Sequence, residues 1–394
     1  PPELRVNRAS HPPLFVIENF APSVGGVETF NREVLGTLAA RMIASKNDGG
    51  TLLVGPKSRA WIRAEAPEIA RAFEIPEIPE GRDALLQATL ERIAVAPPRV
   101  IAVMRASKRL RSIFQKARRA GVPVVVYVHG RTSTFDRWPP RFWWRQRTQL
   151  HRAARVATNS DWMARNLETV GHARSGIDVI PLGIDTERFA PDPVLRAAER
   201  NASALGTAPL LVTVSRLVGA KGHQRVIEAL PTLLETFPDL RWWIVGDGPS
   251  RGEIEAAIAN AGVAHAVTLR GSLPDPRGPL AAADLFVLLA ENEAFGLAAL
   301  EAEAMGVPAI VLAGSGPEEI VRSGKEGETG AVLPVDRDAI ARGLIEWIGD
   351  PERRRRAGIA ARRLALDYTW EQTTDRFLAL LEAVSRERDR SRAT

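Results

Sequence analysis

Short apolar, β-branched runs alternate along almost the whole chain with longer stretches of helical amphipathic pattern. In the first half the runs predict strands at Leu14–Glu18, Thr51–Val54, Val100–Met104, Val122–His129 and Arg155–Asn159, with helices between them such as Val27–Ala44 and Ser107–Ala120. In the second half the predicted strands are Leu210–Ser215, Arg241–Val245, Val267–Arg270, Leu285–Leu289 and Ala309–Leu312, each followed by a helical pattern. Repeated strand–helix units build parallel sheets covered by helices, so the fold class is α/β with two doubly wound, Rossmann-like domains in series. The sequence FAPDP beginning at Phe189 punctuates the chain before a new strand. The expected domains are residues 1–188, residues 189–368 and a closing helix with its tail at 369–394. Beyond Val335 the pattern is helical to about Val384, and the charged end RERDRSRAT is expected to be disordered. Parallel sheets carry their binding loops at the carboxyl ends of their strands, so a ligand in a cleft between two such domains is the default expectation.

Charge changes this picture. The 53 basic and 47 acidic residues give a net charge of +6. Residues 1–190 hold 29 basic against 18 acidic, leaving 24 against 29 for the remainder. The two halves therefore face different partners. The chain has no cysteine, which excludes a disulfide scaffold, a thiolate metal site and a cysteine nucleophile. No apolar run approaches the ~18 residues of a membrane span, and the first 20 residues lack a signal-peptide pattern, so the chain reads as soluble and cytosolic.

Candidate chemistry sits where strands end. Gly25-Gly26-Val27-Glu28 follows the strand FVIEN and opens a helix; the glycines let backbone approach an anion, and the same pair also suits an ordinary tight turn. Arg216 and Lys221, five apart on a loop at a helix start, form a clamp for a pyrophosphate, one as a fork and one as a point charge. Only 6 of the 53 basic residues are lysine, which sets Lys221 apart from surface filler. Gly246 and Gly248 in VGDGP, with Gly271 ending a later strand, suit a nucleotide-lining turn or plain turn chemistry. In Glu293-Ala294-Phe295-Gly296-Leu297 and on to Glu301, a helix start can take phosphate, Glu301 can accept two ribose hydroxyls, and Glu293 faces whatever the phosphate carries. Acids complementing a helix dipole explain the two glutamates singly, but not the recurrence of such loops at successive strand ends. His129-Gly130 ends a strand of the first domain, where a histidine is structural or looks into the cleft. Asp336-Arg337-Asp338 has the form of a metal-binding Asp-x-Asp, yet it opens a helix and reads as capping.

Together these segments resemble the retaining glycosyltransferases of family 4, with the GT-B fold. GGVE, His129-Gly130, PLGID (Pro181–Asp185), VSRL with Lys221-Gly222, VGDGP, ADLFVL, EAFGLAALE and MGVP occur in the family's order and spacing over about residues 14–370. The loop Gly314-Ser315-Gly316-Pro317-Glu318 stands where the family usually has Gly-Gly-x-Pro-Glu. The resemblance implies that Arg216 and Lys221 bind the donor diphosphate and stabilise the leaving group. It further implies that Gly25, Gly26, Gly246, Gly248, Gly271, Phe295, Gly296 and Leu297 belong to the donor site, with the amides of Gly296 and Leu297 cradling phosphate. Glu301 would hold the ribose, Glu293 would touch the sugar, and His129 would lie near sugar and acceptor. The last helix, starting TWEQTTDRF, would cross back onto the first domain, and domain closure would accompany catalysis. Such enzymes take a nucleotide-sugar (GDP-mannose-like or a UDP-sugar), retain the anomeric configuration and use neither metal nor other cofactor.

On the acceptor side, residues 99–155 hold 15 basic residues and a single acid, Asp136. Arg109, Arg111, Lys116 and Arg118 lie on one predicted helix, and RWPPRFWWRQR adds Trp143 and Trp144 among arginines. Basic residues interleaved with aromatics suit the headgroups of an anionic membrane, which implies a peripheral enzyme and a lipid-linked or anionic acceptor. Leu110, Ile113, Phe114 and Ala117 on the same helix also suit the core face of a domain helix, and the tryptophans a cleft wall or dimer contact. Another GT-B enzyme, a hydrolase, epimerase or phosphorylase, is the nearest alternative. Nucleic-acid binding would use the same basic stretch but leaves the nucleotide-type loops without a role, so no nucleic-acid partner is expected.

Overall fold

The computed structural model describes residues 12–18, 20, 25–45, 50–81, 83–105, 110–130, 150–324 and 326–393. Arg109, Trp143 and Trp144 lie outside them. The chain forms two units: residues 1–183 with 370–394, and residues 184–369. The passages between units thus fall at 183/184 and 369/370, beside the sequence expectation of 188/189 and 368/369. Ile184 N donates to Tyr368 O at 2.9 Å, holding the two passages side by side.

The first unit carries strands β1 (Leu14–Ile17), β2 (Thr51–Val54), β3 (Ile101–Val103), β4 (Val124–Val128), β5 (Arg155–Thr158) and β6 (Ile177–Val179). They pair in parallel in the order β2-β1-β3-β4-β5-β6. Its helices are α1 (Gly26–Ser45), α2 (Pro56–Glu65), α3 (Pro67–Ala72), α4 (Ala84–Val95), α5 (Leu110–Arg119) and α6 (Asp161–Thr169). The second unit carries α7 (Pro193–Ala202), β7 (Leu210–Val214), α8 (His223–Thr236), β8 (Arg241–Val245), α9 (Arg251–Asn260) and β9 (Val267–Gly271). It continues through α10 (Arg277–Ala282), β10 (Leu285–Leu288), α11 (Leu297–Ala304), β11 (Ala309–Leu312), β12 (Gly330–Leu333), α12 (Arg337–Gly349) and α13 (Pro351–Ala365). Its parallel order is β12-β11-β10-β7-β8-β9, so the sheet reverses direction between β7 and β10. Loops leaving the carboxyl ends of those two strands diverge and leave a crevice, the usual ligand position in open α/β sheets.

Every strand predicted from the apolar runs is present; most are buried, as in LFVI of β1, whereas β9 at the sheet edge is half-exposed. Two strands escaped prediction. β6 is three residues long, and β12 begins with a glycine and pairs only at the sheet edge. In the second unit Trp242 and Trp347 anchor the core. Trp242 Nε1 donates to Thr213 Oγ1 at 3.0 Å, and Thr213 in turn donates to Val287 O at 2.7 Å. This chain of hydrogen bonds ties β8, β7 and β10 together directly beneath the switch point.

One expectation is corrected here. The tail is helical: α14 (Trp370–Ala393) runs through it and packs on α1 in the first unit. Arg41 pairs with Asp375, Thr373 Oγ1 donates to Pro181 O at 2.8 Å, and Arg388 Nη1 donates to the carbonyls of Pro98 and Arg99 at 3.0 Å each. A charged segment reads as disordered only while its arginines have nothing to bind. Of the two readings left open for α5, its Leu110, Ile113, Phe114 and Ala117 take the core one, all being buried. That face belongs to the core and is not available to a bilayer, which leaves the opposite face with exposed Arg111 and Arg118 and half-buried Lys116. Among the described residues no helix is long and apolar enough to cross a membrane. Asp336 caps α12, its carboxylate accepting from Ala339 N at 2.7 Å, as the Asp-x-Asp reading anticipated.

Candidate active site

The loop after β7 is held from three sides. Leu217 N donates to Asp247 O at 3.0 Å, Ser215 Oγ and His223 Nε2 are 3.0 Å apart, and Lys221 closes a single 3-10 turn before α8. Gly222 follows at φ +75°, and a Cβ there would lie 1.9 Å from Leu289 O, so the start of α8 is pressed against the end of β10. No other residue type fits. The contact sets Lys221 beside the loop after β10, where its ammonium pairs with Glu293, both side chains being partly buried. Arg225 on α8 pairs with Glu291 of that loop in the same manner. Arg216 is exposed at the lip. Burial, reinforced by the charge of Lys221, holds His223 down to about 4, so the ring is neutral and serves Ser215 as a fixed partner.

A second loop supports Glu293 from behind. Gly316 N donates to Glu293 O at 2.8 Å, and a Cβ on Gly316 would lie 1.9 Å from Ala294 O. Glu318 folds back to accept from Gly314 N at 2.8 Å. The Gly314–Glu318 segment thus grips the backbone of 293–295. α11 begins at Gly296 with no side chain capping it, so its first amides, starting at Leu297, remain available to an anion. Phe295 itself is buried, its ring meeting that of Tyr368 edge-on with centroids 6.2 Å apart, so its backbone is the part that can serve a ligand. One turn into α11, Glu301 is pushed up to about 7 by burial, with Arg188 opposing and Asp275 adding. Asp275 is held below its usual range by hydrogen bonds from Arg277, and also pairs with Arg188 at 3.4 Å.

The glycines after β8 and at the end of β9 are required by close backbone packing. A Cβ on Gly246 would lie 1.9 Å from Ser215 O, and one on Gly248 2.4 Å from Leu217 O. The space they leave is filled by the chain's own 215–217 loop. Gly271 accepts from Gly246 N at 2.8 Å, continuing the same backbone stack.

In the first unit Gly26 opens α1 with nothing within 4 Å of its missing Cβ, whereas a Cβ on Gly25 would meet the Glu28 carboxylate at 2.7 Å. His129 follows β4, its Nε2 2.9 Å from Met104 O. A carbonyl only accepts, so Nε2 carries the proton and Nδ1 keeps the lone pair. Burial holds His129 down to about 3, the Met104 contact raising it and Arg105 lowering it, so the imidazole is neutral. A cationic role is thereby removed and an acceptor role retained. His223, Arg188 and Asp275 were not singled out from sequence; Gly222 and Gly316 were quoted within motifs without a role of their own, and Arg188 and Asp275 meet only through the fold.

Two parallel-sheet units, the second with its polar loops at a switch point, define the GT-B class of glycosyltransferase. Residues 24–188 match the family described as Glycosyltransferase Family 4, and residues 196–364 the one described as Glycosyl transferases group 1. The GDP-mannose-dependent alpha-(1-6)-phosphatidylinositol monomannoside mannosyltransferase of Mycolicibacterium smegmatis is 34% identical over 67% of this chain and 72% of its own. The enzyme of the same description from Mycobacterium tuberculosis is 28% identical over 91% and 94%. Among solved structures, Anabaena HepE in complex with UDP superposes with a TM-score of 0.78 at 18% identity, covering 94% of this chain and 100% of that one. WaaG, a glycosyltransferase involved in lipopolysaccharide biosynthesis, gives 0.70 at 19%, covering 94% and 99%. The chain belongs to the family 4 glycosyltransferases and is a nucleotide-sugar-dependent glycosyltransferase.

Proposed function

We propose that the enzyme is a retaining mannosyltransferase that moves mannose from GDP-mannose to a hydroxyl of an anionic, lipid-linked acceptor. The observation that carries the reading is the convergence of Lys221, Glu293 and the side-chain-free start of α11 at the switch point of one sheet. Arg216, Lys221 and the amides of Gly296 and Leu297 bind the diphosphate, and ionised Glu301 accepts the ribose hydroxyls. Glu293, released by Lys221, accepts a hydroxyl of the sugar. The bond from the sugar C1 to the β-phosphate oxygen breaks with its electron pair on that oxygen, and Arg216 and Lys221 balance the charge that a metal would otherwise meet. The acceptor oxygen bonds to C1 from the same face and gives its proton to the departing phosphate, so configuration is retained. Gly25 and Gly26 offer amides to an anion, and His129 offers Nδ1 to a hydroxyl. GDP-mannose and a phosphatidylinositol mannoside are named for the two mycobacterial relatives, and the basic face of α5 fits an anionic acceptor surface at about 1 kcal/mol per arginine or lysine.

The test pairs a thermal-shift panel of GDP, UDP and ADP with an anomeric NMR assay of the product. GDP alone should raise the melting temperature by several degrees, the shift should vanish in Lys221→Ala, and the mannoside should form with the α configuration of its donor. A UDP-specific shift would replace the donor, and a β product would overturn retention.

A further inference from the structure

His129 does not stand free on its strand end; it is gripped by aromatic rings. Tyr127, two residues earlier on β4, stacks against it with centroids 4.5 Å apart and planes 29° from parallel. Phe30, one turn into α1, meets it edge-on at 4.7 Å and meets Tyr127 at 4.3 Å. Phe30 and Tyr127 are both fully buried, and Tyr127 cannot rotate away because its hydroxyl donates to Ile180 O at 2.6 Å. Behind them stand Trp370 and Phe377 of α14, each 6.4 Å from Phe30, with Phe377 also 6.1 Å from Tyr127. The backbone is fastened too, since Asn159 Nδ2 donates to His129 O at 2.9 Å. Core packing alone needs apolar volume, and leucine would supply it. An edge ring and a face ring, with a carbonyl at Nε2, constrain an imidazole in three directions, which among the described residues leaves Nδ1 as the nitrogen for a ligand.

We propose that Phe30 is a positioning residue for His129: with Tyr127 it locks the imidazole in one orientation and one tautomer, so that the Nδ1 lone pair is presented to a sugar or acceptor hydroxyl. The C-terminal helix takes part as the wall behind Phe30, which gives the return of α14 to the first unit a role in the site. This rests on the reading of His129 as a site residue.

The experiment is long-range 1H–15N NMR of the histidines, with His129→Gln assigning the signal among the six in the chain, alongside steady-state transfer from GDP-mannose. The wild type should show His129 as a single Nε2-protonated tautomer that does not titrate between pH 5 and 8. In Phe30→Leu the signal should become a tautomer mixture and titrate toward the ordinary value of about 6.5. Its kcat should fall about tenfold with donor KM within about twofold, the pattern of lost transition-state alignment. Leu38→Ala, a core change on the same helix away from the rings, should lower stability without moving His129 or the kcat to KM split. Phe377→Leu, which leaves Phe30 in place, should give a smaller shift of the same sign. An unchanged His129 spectrum in Phe30→Leu or in Phe377→Leu, or Leu38→Ala reproducing the kcat loss, overturns the positioning role. Full activity of His129→Gln would instead overturn the reading of His129 itself, and the spectra would still decide whether Phe30 sets the tautomer.

Discussion

Lys221 and Glu293 are paired, and under the proposed function that pairing makes an unusual demand on mutagenesis. A diphosphate must compete with Glu293 for the ammonium. Glu293→Gln is therefore expected to tighten binding of GDP without sugar by about 3- to 10-fold while cutting transfer by about 10²-fold, and Lys221→Ala to weaken GDP by at least about tenfold. Titration calorimetry with GDP separates the two: equal weakening in both variants would mean that the pair acts as a unit and not as a competitor. Glu301 makes a pH prediction of definite sign. Its native carboxyl is raised to about 7, so the folded protein holds a proton there that the unfolded chain releases near its ordinary value of 4.5. The stability from this group is present below that ordinary value and is lost as pH rises through about 7. Nucleotide binding has the opposite slope, because only the carboxylate accepts two ribose hydroxyls. GDP affinity should rise roughly tenfold from pH 6 to pH 8 and become flat in Glu301→Gln.

At the scale of elements, the site is made by backbone pressed on backbone. Gly222→Ala would force a Cβ into Leu289 O at a positive φ and should cost at least about 3 kcal/mol of stability in the second unit, whereas Gly219→Ala, with open space around it, should cost less than about 0.5 kcal/mol. Denaturant melts of the two variants test the contrast. Helix α5 divides in two. Its apolar face is core, so a charge at Ile113 should unfold the first unit. Its basic face is solvent-facing, so Arg111→Glu with Arg118→Glu should lower binding to phosphatidylinositol-containing vesicles at least about tenfold at low salt and leave the melting temperature unchanged. Undiminished vesicle binding in that double variant would remove α5 from the membrane contact. Most strands were legible as short, largely apolar runs; β6 and β12 were missed because short edge strands carry too few apolar positions to signal.

For the whole molecule, the chain's last helix belongs to its first unit, and each of the two compact units is expected to give its own unfolding transition. GDP at about 100 times its dissociation constant should add about 2.7 kcal/mol to the unit that binds it. Calorimetry should show that shift in the transition of residues 184–369 alone, while Phe377→Ala should lower only the other transition. Movement of both transitions by GDP would show that the units unfold together.

The linear pattern of apolar runs determined the α/β class, the serial order of the two sheets and the strand-end loops that carry Arg216, Lys221, Glu293 and Glu301, because periodicity and turn chemistry are local properties. Tertiary structure decided what those residues meet. Lys221 finds Glu293 only because Gly222 lets α8 rest against β10, and Gly246 and Gly248 let the backbone after β8 press on the 215–217 loop. His129 is neutral because the fold buries it, and its tautomer is set by Met104 and its ring flanked by Phe30, both distant in sequence. Proton affinity and ion pairing depend on distances through space, and those are set by long-range packing that no local pattern encodes.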